Sequence, residues 1–488
     1  MKKNLVTLQI YILLCCLSLP CVSIFAGDDH SIIQLYNRRE LFVDHYLIDK
    51  LNGTEIILHE PRDEGVVFYF DKSWEGLFSG YCTIVKDGEL FRAYYRGMPV
   101  VGKGYTDAEK TCYAESKDGI SWQKPNLGLF EVNGSFENNV ILANAAPVTH
   151  NFCPFIDQNP EAKSDERYKA LGGNKVSGLI AYTSADGIHW KRLKEKAVIT
   201  KGKFDSQNVA FWSESENCYV CYFRTMAGDN NNRFRSVSRT TSTDFLNWSE
   251  PVAMTFGDTP LEHLYTQQTH PYYRAPHIYI AIGARFMPNR QVLTDEQAKA
   301  FQVNPKYYND CSDAILMSTR GGNVYDRTFM ESFIRPGIGL ENWVSRSNYP
   351  ALNVVQTGPY EMSIYVNQNY AQPSAHLRRY SLRIDGFTSI RAPYSGGEMI
   401  TKPFSFTGER LILNYATSAA GYICIEVQDE NGTPIPGYSI EDSQTLIGNE
   451  IERAVSWQNT DTVKALQDRI IRLRFLMKDA DLYSLCFQ

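Results

Sequence analysis

The stretch "YAESKDGISW", Tyr113 to Trp122, returns as "YTSADGIHW", Tyr182 to Trp190, and again as "RTTSTDFLNW", Arg239 to Trp248. Each copy runs from a strand-like segment through a serine and an aspartate to a tryptophan. A bend that recurs at long intervals marks a repeat architecture. Looser copies extend the series: "MSTRGGNVYDR" sets Tyr325 in the tryptophan's place, and "YSLRIDGFTSI" brings Asp385-Gly386 one period later. Asp-Gly and Gly-Gly bends between alternating, aromatic-rich runs signal antiparallel strands.

Upstream of each bend lie further strand candidates. The first unit supplies "GYCTIVKDGELFRAYYRG" then "KTCYAES", the third "SQNVAFWSESENCYVCYFRT" then "FRSVSRTT". The fourth supplies "HPYYRAPHIYIAIGARF" then "DAILMST", and the fifth "EMSIYVNQ" then "HLRRYSLRI"; the second, "HNFCPFIDQNPEAKSDERYKALGG" then "GLIAYTS", is less regular. The unit is therefore a four-stranded meander of about 65 residues, and five such sheets arranged radially make an all-β, five-bladed β-propeller. The bend falls between the third and fourth strands. Asp118 and Asp186 are read as turn formers, and the tryptophans as packing between sheets.

The propeller is assigned residues 73–394. After Gly396-Gly397 the repeat gives way to period-two strands, so residues 395–488 are read as a C-terminal β-sandwich with a short helical piece at "TDTVKALQ". Residues 27–72, with "LFVDHYLID", pack on the propeller or close its ring.

The chain has 43% apolar and 21% charged residues and a net charge of -6, which argues against a nucleic-acid partner. Aromatics reach 13%, with 30 Tyr, which suits strands and surfaces that stack on sugar rings. The start, "MKKNLVTLQIYILLCCLSLPCVSIFAGDD", places two lysines before an apolar run and a small residue, Ala26. Residues 1–26 are therefore read as an export signal, and the product as periplasmic or extracellular. Pro20 before Cys21 argues against a lipoprotein, and no later apolar run has the length of a membrane span. Cys82, Cys112, Cys153, Cys218, Cys221, Cys311, Cys424 and Cys486 are scattered through strand-like runs and are read as buried thiols. Cys218 and Cys221 point to opposite faces of a strand, a poor metal pair. No metal or cofactor site is legible, although rim or sandwich carboxylates leave room for a structural calcium.

In such a meander the start of the first strand and the end of the second share a face, opposite the repeated bends. The site is therefore expected where first-strand starts and second-strand ends converge on the central channel. Those positions supply the carboxylates Glu75, Asp205 and Glu262 as catalytic candidates, with Glu361 displaced toward the second strand as a substrate-binding one. They also supply Arg96, Arg224 and Arg285, with Trp74 as a sugar platform and Gln207 and His270 as hydroxyl binders. Carboxylates around a narrow channel can divide glycosidic cleavage between a proton donor and a nucleophile or base. Arginines hold one of them ionised.

Five blades, a trailing sandwich and acidic first-strand starts resemble the superfamily of invertases, levanases, levansucrases and arabinanases. From "LFVDHYLID" through "HNFCPFIDQNP", "FDSQNVAFW" and "RAPHIYIAI" to "KDADLYS", the chain is also similar to a broad group of secreted bacterial proteins related to invertase-type glycosidases. The resemblance implies an exported glycoside hydrolase acting on a carbohydrate substrate. The Asn-Asp-Pro, Arg-Asp-Pro and Glu-Cys motifs of the invertase branch are absent, so its catalytic residues are not carried over. Alternatives are a non-catalytic glycan-binding propeller, an enzyme of uronic or sialic acids that uses the rim arginines, or a glycoside phosphorylase. Convergence of Glu75, Asp205 and Glu262 separates the hydrolase from the binder.

Overall fold

The computed structural model describes residues 32–100, 102–229 and 232–488; the expected export segment, 1–26, lies outside them. Five antiparallel sheets follow one another along the chain. In blade one, Gly80–Asp87 pairs with Leu90–Gly97, which pairs with Lys110–Ser116. Blade two runs from Cys153–Ile156 through Tyr168–Asn174 and Gly178–Ser184 to Lys191–Arg192. Blade three runs from Val209–Ser213 through Cys218–Gly228 and Arg233–Ser242 to Val252–Ala253. Blade four centres on Ala275–Met287, paired with Cys311–Thr319, and blade five on Glu361–Gln368, paired with His376–Arg383.

The repeated bend is the same structure three times. Ser116 Oγ accepts from the Gly119 amide at 2.9 Å, and Asp118 Oδ1 accepts from Ile120 and Ser121, each at 2.7 Å. Trp122 Nε1 donates to Gly119 O at 3.1 Å. Ser184, Asp186 and Trp190 repeat this set, as do Asp244 and Trp248. The bend needs a positive φ, met by Gly119 at 72° and Gly187 at 75°, and by Phe245 at 65° in the third copy. The tryptophans join sheets: Trp122 meets Tyr365 of blade five at 5.7 Å, and Trp190 meets Tyr94 of blade one at 6.4 Å. In the fourth copy Tyr325 takes the buried place, against Tyr222 and Phe256.

The fifth copy does something else. After Asp385, at φ 62°, the chain leaves the propeller, and Thr388–Ala392 pairs with Glu55–Leu58 and with Ile471–Phe487. The fourth strand of blade five is instead Arg62–Tyr69, which pairs with His376–Arg383 and closes the ring. Asp385 is buried at this joint, where it accepts from Tyr272, Asn414 and Ser484 and pairs with Arg274 at 3.0 Å.

The described part of the segment 27–72, residues 32–72, is thus divided. Arg62–Tyr69 completes the propeller, whereas Ile33–Tyr36, Glu40–Leu41, Ile48–Asn52 and Glu55–Leu58 enter the sandwich sheet. The sandwich is organised by two long strands, Leu411–Asp429 and Ile471–Phe487, whose register breaks between Thr417 and Tyr422. Such an irregularity lets a strand turn from one layer to the other. Leu413 and Ile425, from either side of the break, share one apolar core with Phe475 and Leu485. The expected helical piece is a single 3-10 turn, Lys464–Leu466.

Candidate functional site

A cavity of about 190 Å³ opens on the face away from the bends. Every blade contributes from a first-strand start or a second-strand end: Tyr81 and Arg96, His150, Asp205, Tyr265, and Tyr349 with Asn367. Loop residues Tyr105, Tyr307, Arg346 and Tyr370 complete the wall.

Asp205 is the carboxylate of this wall, and its side chain is 54% exposed. Arg224 forms an ion pair with it, and the Tyr105 hydroxyl donates to its Oδ1. Burial and then the Asp205 charge push the Tyr105 pKa up, so the phenol holds its proton. Tyr105 stacks on His150 at 3.9 Å between ring centroids. The buried Glu109 carboxylate lies 2.7 Å from His150 Nδ1, with Arg96 Nη1 3.3 Å from Nε2. Burial, and then the Arg96 guanidinium, lower the His150 pKa against the opposing Glu109 hydrogen bond, which keeps the ring neutral at neutral pH. Arg96 lies over the Tyr81 ring at 4.6 Å and donates to Phe78 O at 2.8 Å.

Of the residues expected here, Asp205 and Arg96 line the cavity, and Arg224 reaches it through Asp205. The others lie elsewhere. Glu75 is fully buried, accepts from Tyr95 at 2.6 Å and pairs with Lys124 at 2.7 Å. Because the ring is closed by an outermost strand, the chain reaches blade one from the blade edge, and Trp74-Glu75 stop short of the channel. Trp74 does not line this cavity; its Nε1 donates to Asn139 at 2.8 Å, and its ring packs in the core around Tyr95.

Glu262 is held by Arg285 at 3.2 Å and Arg327 at 2.7 Å, and Arg285 is also taken by Asp313 at 2.6 Å. This cluster borders a separate depression with Arg290, Arg335 and Trp343. Glu361 begins a strand whose other end, Asn367, faces the cavity, so it lies at the far face, bound to Arg379 at 2.7 Å. Gln207 plugs the channel: its amide nitrogen donates to Thr83 Oγ1 at 3.1 Å, and its oxygen accepts from Gln268. His270 is buried with both nitrogens engaged, Nδ1 donating to Gln268 O at 2.9 Å and Nε2 accepting from Val354 N at 3.1 Å. Each of these meets its bonding needs inside the protein.

The positional rule that selected Asp205 also reaches His150, in "THNF", immediately before the first strand of blade two. Tyr105, Tyr307, Arg346 and Tyr370 come from loops and carry no periodic signal. Among the described residues no group of histidines, cysteines and carboxylates is arranged to hold a metal ion.

The class that the fold defines is a five-bladed propeller joined to a β-sandwich. No protein-family model and no curated protein matches the chain. Solved structures do. An N-acetylgalactosamine deacetylase from F. plautii, in complex with blood group B trisaccharide, is 13% identical over 69% of this chain and 97% of its own, with a TM-score of 0.44. A fructofuranosidase from Schwanniomyces occidentalis complexed with fructosylnystose is 9% identical over 88% of this chain and 98% of its own, with a TM-score of 0.38. A structure from the GH130 family of mannoside phosphorylases is 13% identical over 67% of this chain and 94% of its own, with a TM-score of 0.36.

Proposed function

We propose that the protein is an exported carbohydrate-active enzyme that cleaves a glycosidic bond at the end of a glycan chain, with Asp205 as its acid/base carboxylate. One observation carries this reading: a half-exposed carboxylate stands in an open-mouthed cavity of about 190 Å³ walled by tyrosine rings. Aromatic faces stack on sugar rings, and a cavity closed at its base admits a chain end rather than a chain middle. Arg224 pairs with Asp205 and orients it. The role that a second carboxylate fills in most glycosidases falls here to Tyr105, whose hydroxyl already donates to Asp205. Export is supported by the two lysines and the apolar run within residues 1–26.

A second reading, a propeller that binds glycans without cleaving them, is favoured by the positions of Glu75 and Glu262 outside the cavity. Sugar release from a panel of polysaccharides separates the two. The enzyme reading expects release by the natural protein, loss in Asp205→Asn and no change in Glu262→Gln. Binding without release from any polysaccharide supports the second reading, and release unchanged in Asp205→Asn removes Asp205 from the mechanism.

A further inference from the structure

The cavity wall carries more positive charge than the protein neutralises. Arg96 is 6% exposed; its guanidinium meets Phe78 O, the Tyr370 hydroxyl and the neutral His150 ring, and its Nε meets nothing. Arg346 lies over the rings of Tyr307 at 4.9 Å and Tyr265 at 5.8 Å, and donates to the Tyr307 hydroxyl at 3.4 Å. Among the described residues, neither guanidinium has a carboxylate within ion-pair distance, although Arg285, Arg320 and Arg379 each have two. The guanidinium groups of Arg96 and Arg346 thus line the cavity without a carboxylate partner, and the one carboxylate of the lining, Asp205, is already paired with Arg224. A buried charge without its counter-charge is costly, so a site that keeps one is shaped for an ion that arrives from outside.

Polar atoms beside these arginines point the same way. Asn367 is 2% exposed and lines the cavity, yet both its Oδ1 and its Nδ2 lack a partner, and so does the buried Tyr349 hydroxyl. Single amide oxygens of Asn208, Gln268 and Gln372 are also left open, but among the described residues Asn367 is the buried amide with both ends unpartnered. Arg346, Tyr81 and Tyr105 also hold left-handed backbone, at φ 62°, 53° and 63°. Such conformations cost energy in residues with side chains and gather at ligand sites.

We propose that the cavity takes an acidic sugar, and that Arg96 and Arg346, with Asn367 and Tyr349, form the subsite for its carboxylate. The inference rests on the reading that the cavity holds a sugar ring. The tyrosine rings that wall the cavity suit a carboxylate carried on a sugar ring, whereas inorganic phosphate has no apolar face to stack on them. Guanidinium groups pair with carboxylates through parallel N–H···O bonds, and the free Asn367 amide and Tyr349 hydroxyl add donors on the same wall.

Calorimetric titration of the full chain with glucuronic, galacturonic and N-acetylneuraminic acids, with glucose and galactose, and with inorganic phosphate tests it. At least one acidic sugar is expected to bind, with affinity falling as salt rises, and Arg346→Gln is expected to weaken it roughly tenfold to a hundredfold. Asn367→Asp, which breaks no existing hydrogen bond, supplies the missing counter-charge from within the chain and is expected to abolish acidic-sugar binding while the melting temperature does not fall. Four results overturn the proposal: no acidic sugar binds at millimolar concentration, neutral sugars bind equally well, phosphate binds more tightly than every acidic sugar, or both variants bind as the natural protein does. Acidic-sugar binding without glycan cleavage leaves the subsite standing and removes the enzyme reading. Release of neutral sugars alone does the reverse.

Discussion

At the far face of the propeller, Ser116 and Asp118 satisfy the backbone of their own bend, and Ser184 with Asp186 does so again one blade on. At the cavity face, Asn367 and Tyr349 end in buried polar atoms that nothing among the described residues meets. Both ends belong to the same sheets. The repeated end is self-contained, because a turn that every blade needs is built from local hydrogen bonds. The unrepeated end is incomplete, because each blade brings a different side chain to a shared space.

The contrast can be broken at either end. The largest effect is expected at the cavity: Asp205→Asn should lower glycan cleavage per folded molecule by roughly 10²- to 10⁴-fold, the range of one acid/base group, and should lower the melting temperature as well, because Arg224, 5% exposed, loses its ion pair. Initial rates beside calorimetric melting check it. Glu75 began as a candidate of the same rank, and Glu75→Gln should behave oppositely. It leaves Lys124 with the exposed Asp71 carboxylate, at 3.1 Å, as its remaining charge partner and should cost about 1–3 kcal/mol in urea unfolding, with cleavage per folded molecule unchanged.

His270 sharpens the comparison by pH. Burial pushes its pKa down to about 4. Between the ordinary value near 6.5 and that figure the unfolded chain binds more protons than the folded one, so stability falls as pH falls through the window, by at most about 3 kcal/mol. His270→Gln should flatten that part of the curve of unfolding free energy against pH; an unchanged slope would assign it to other groups. The smallest effect belongs to the far face, where Asp118→Ala should cost about 1 kcal/mol and leave sugar release untouched. A loss of activity in that variant would erase the distinction between the two faces.

Legibility followed the same division. The three Ser-Asp-Trp bends, the alternating strands and the choice of cavity face were readable because turn chemistry and period-two patterning act over a few residues. Asp205 and Arg96 were readable by their places in the meander. Glu75 and Trp74 were misplaced by that rule, since it assumes the chain enters every blade alike. In blade one it arrives from the closing strand Arg62–Tyr69, at the outer edge. Glu361 was misplaced because Tyr349–Pro350 and Val355–Gln356, short and interrupted, are the first-strand pieces of blade five.

By itself the sequence determined that the chain is an all-β repeat of five sheets with a different β unit after it, because those signals are local. Only the tertiary structure decided which charges are matched and which are left open. Glu262 and Asp205 look alike as acidic residues before a strand. One is held between Arg285 and Arg327, and the other stands in a cavity with Tyr105 and Arg224. Whether a side chain spends its charge inside the protein or keeps it for a ligand depends on neighbours about 20 to 100 residues away in the chain, and those are set by how the blades fold and pack.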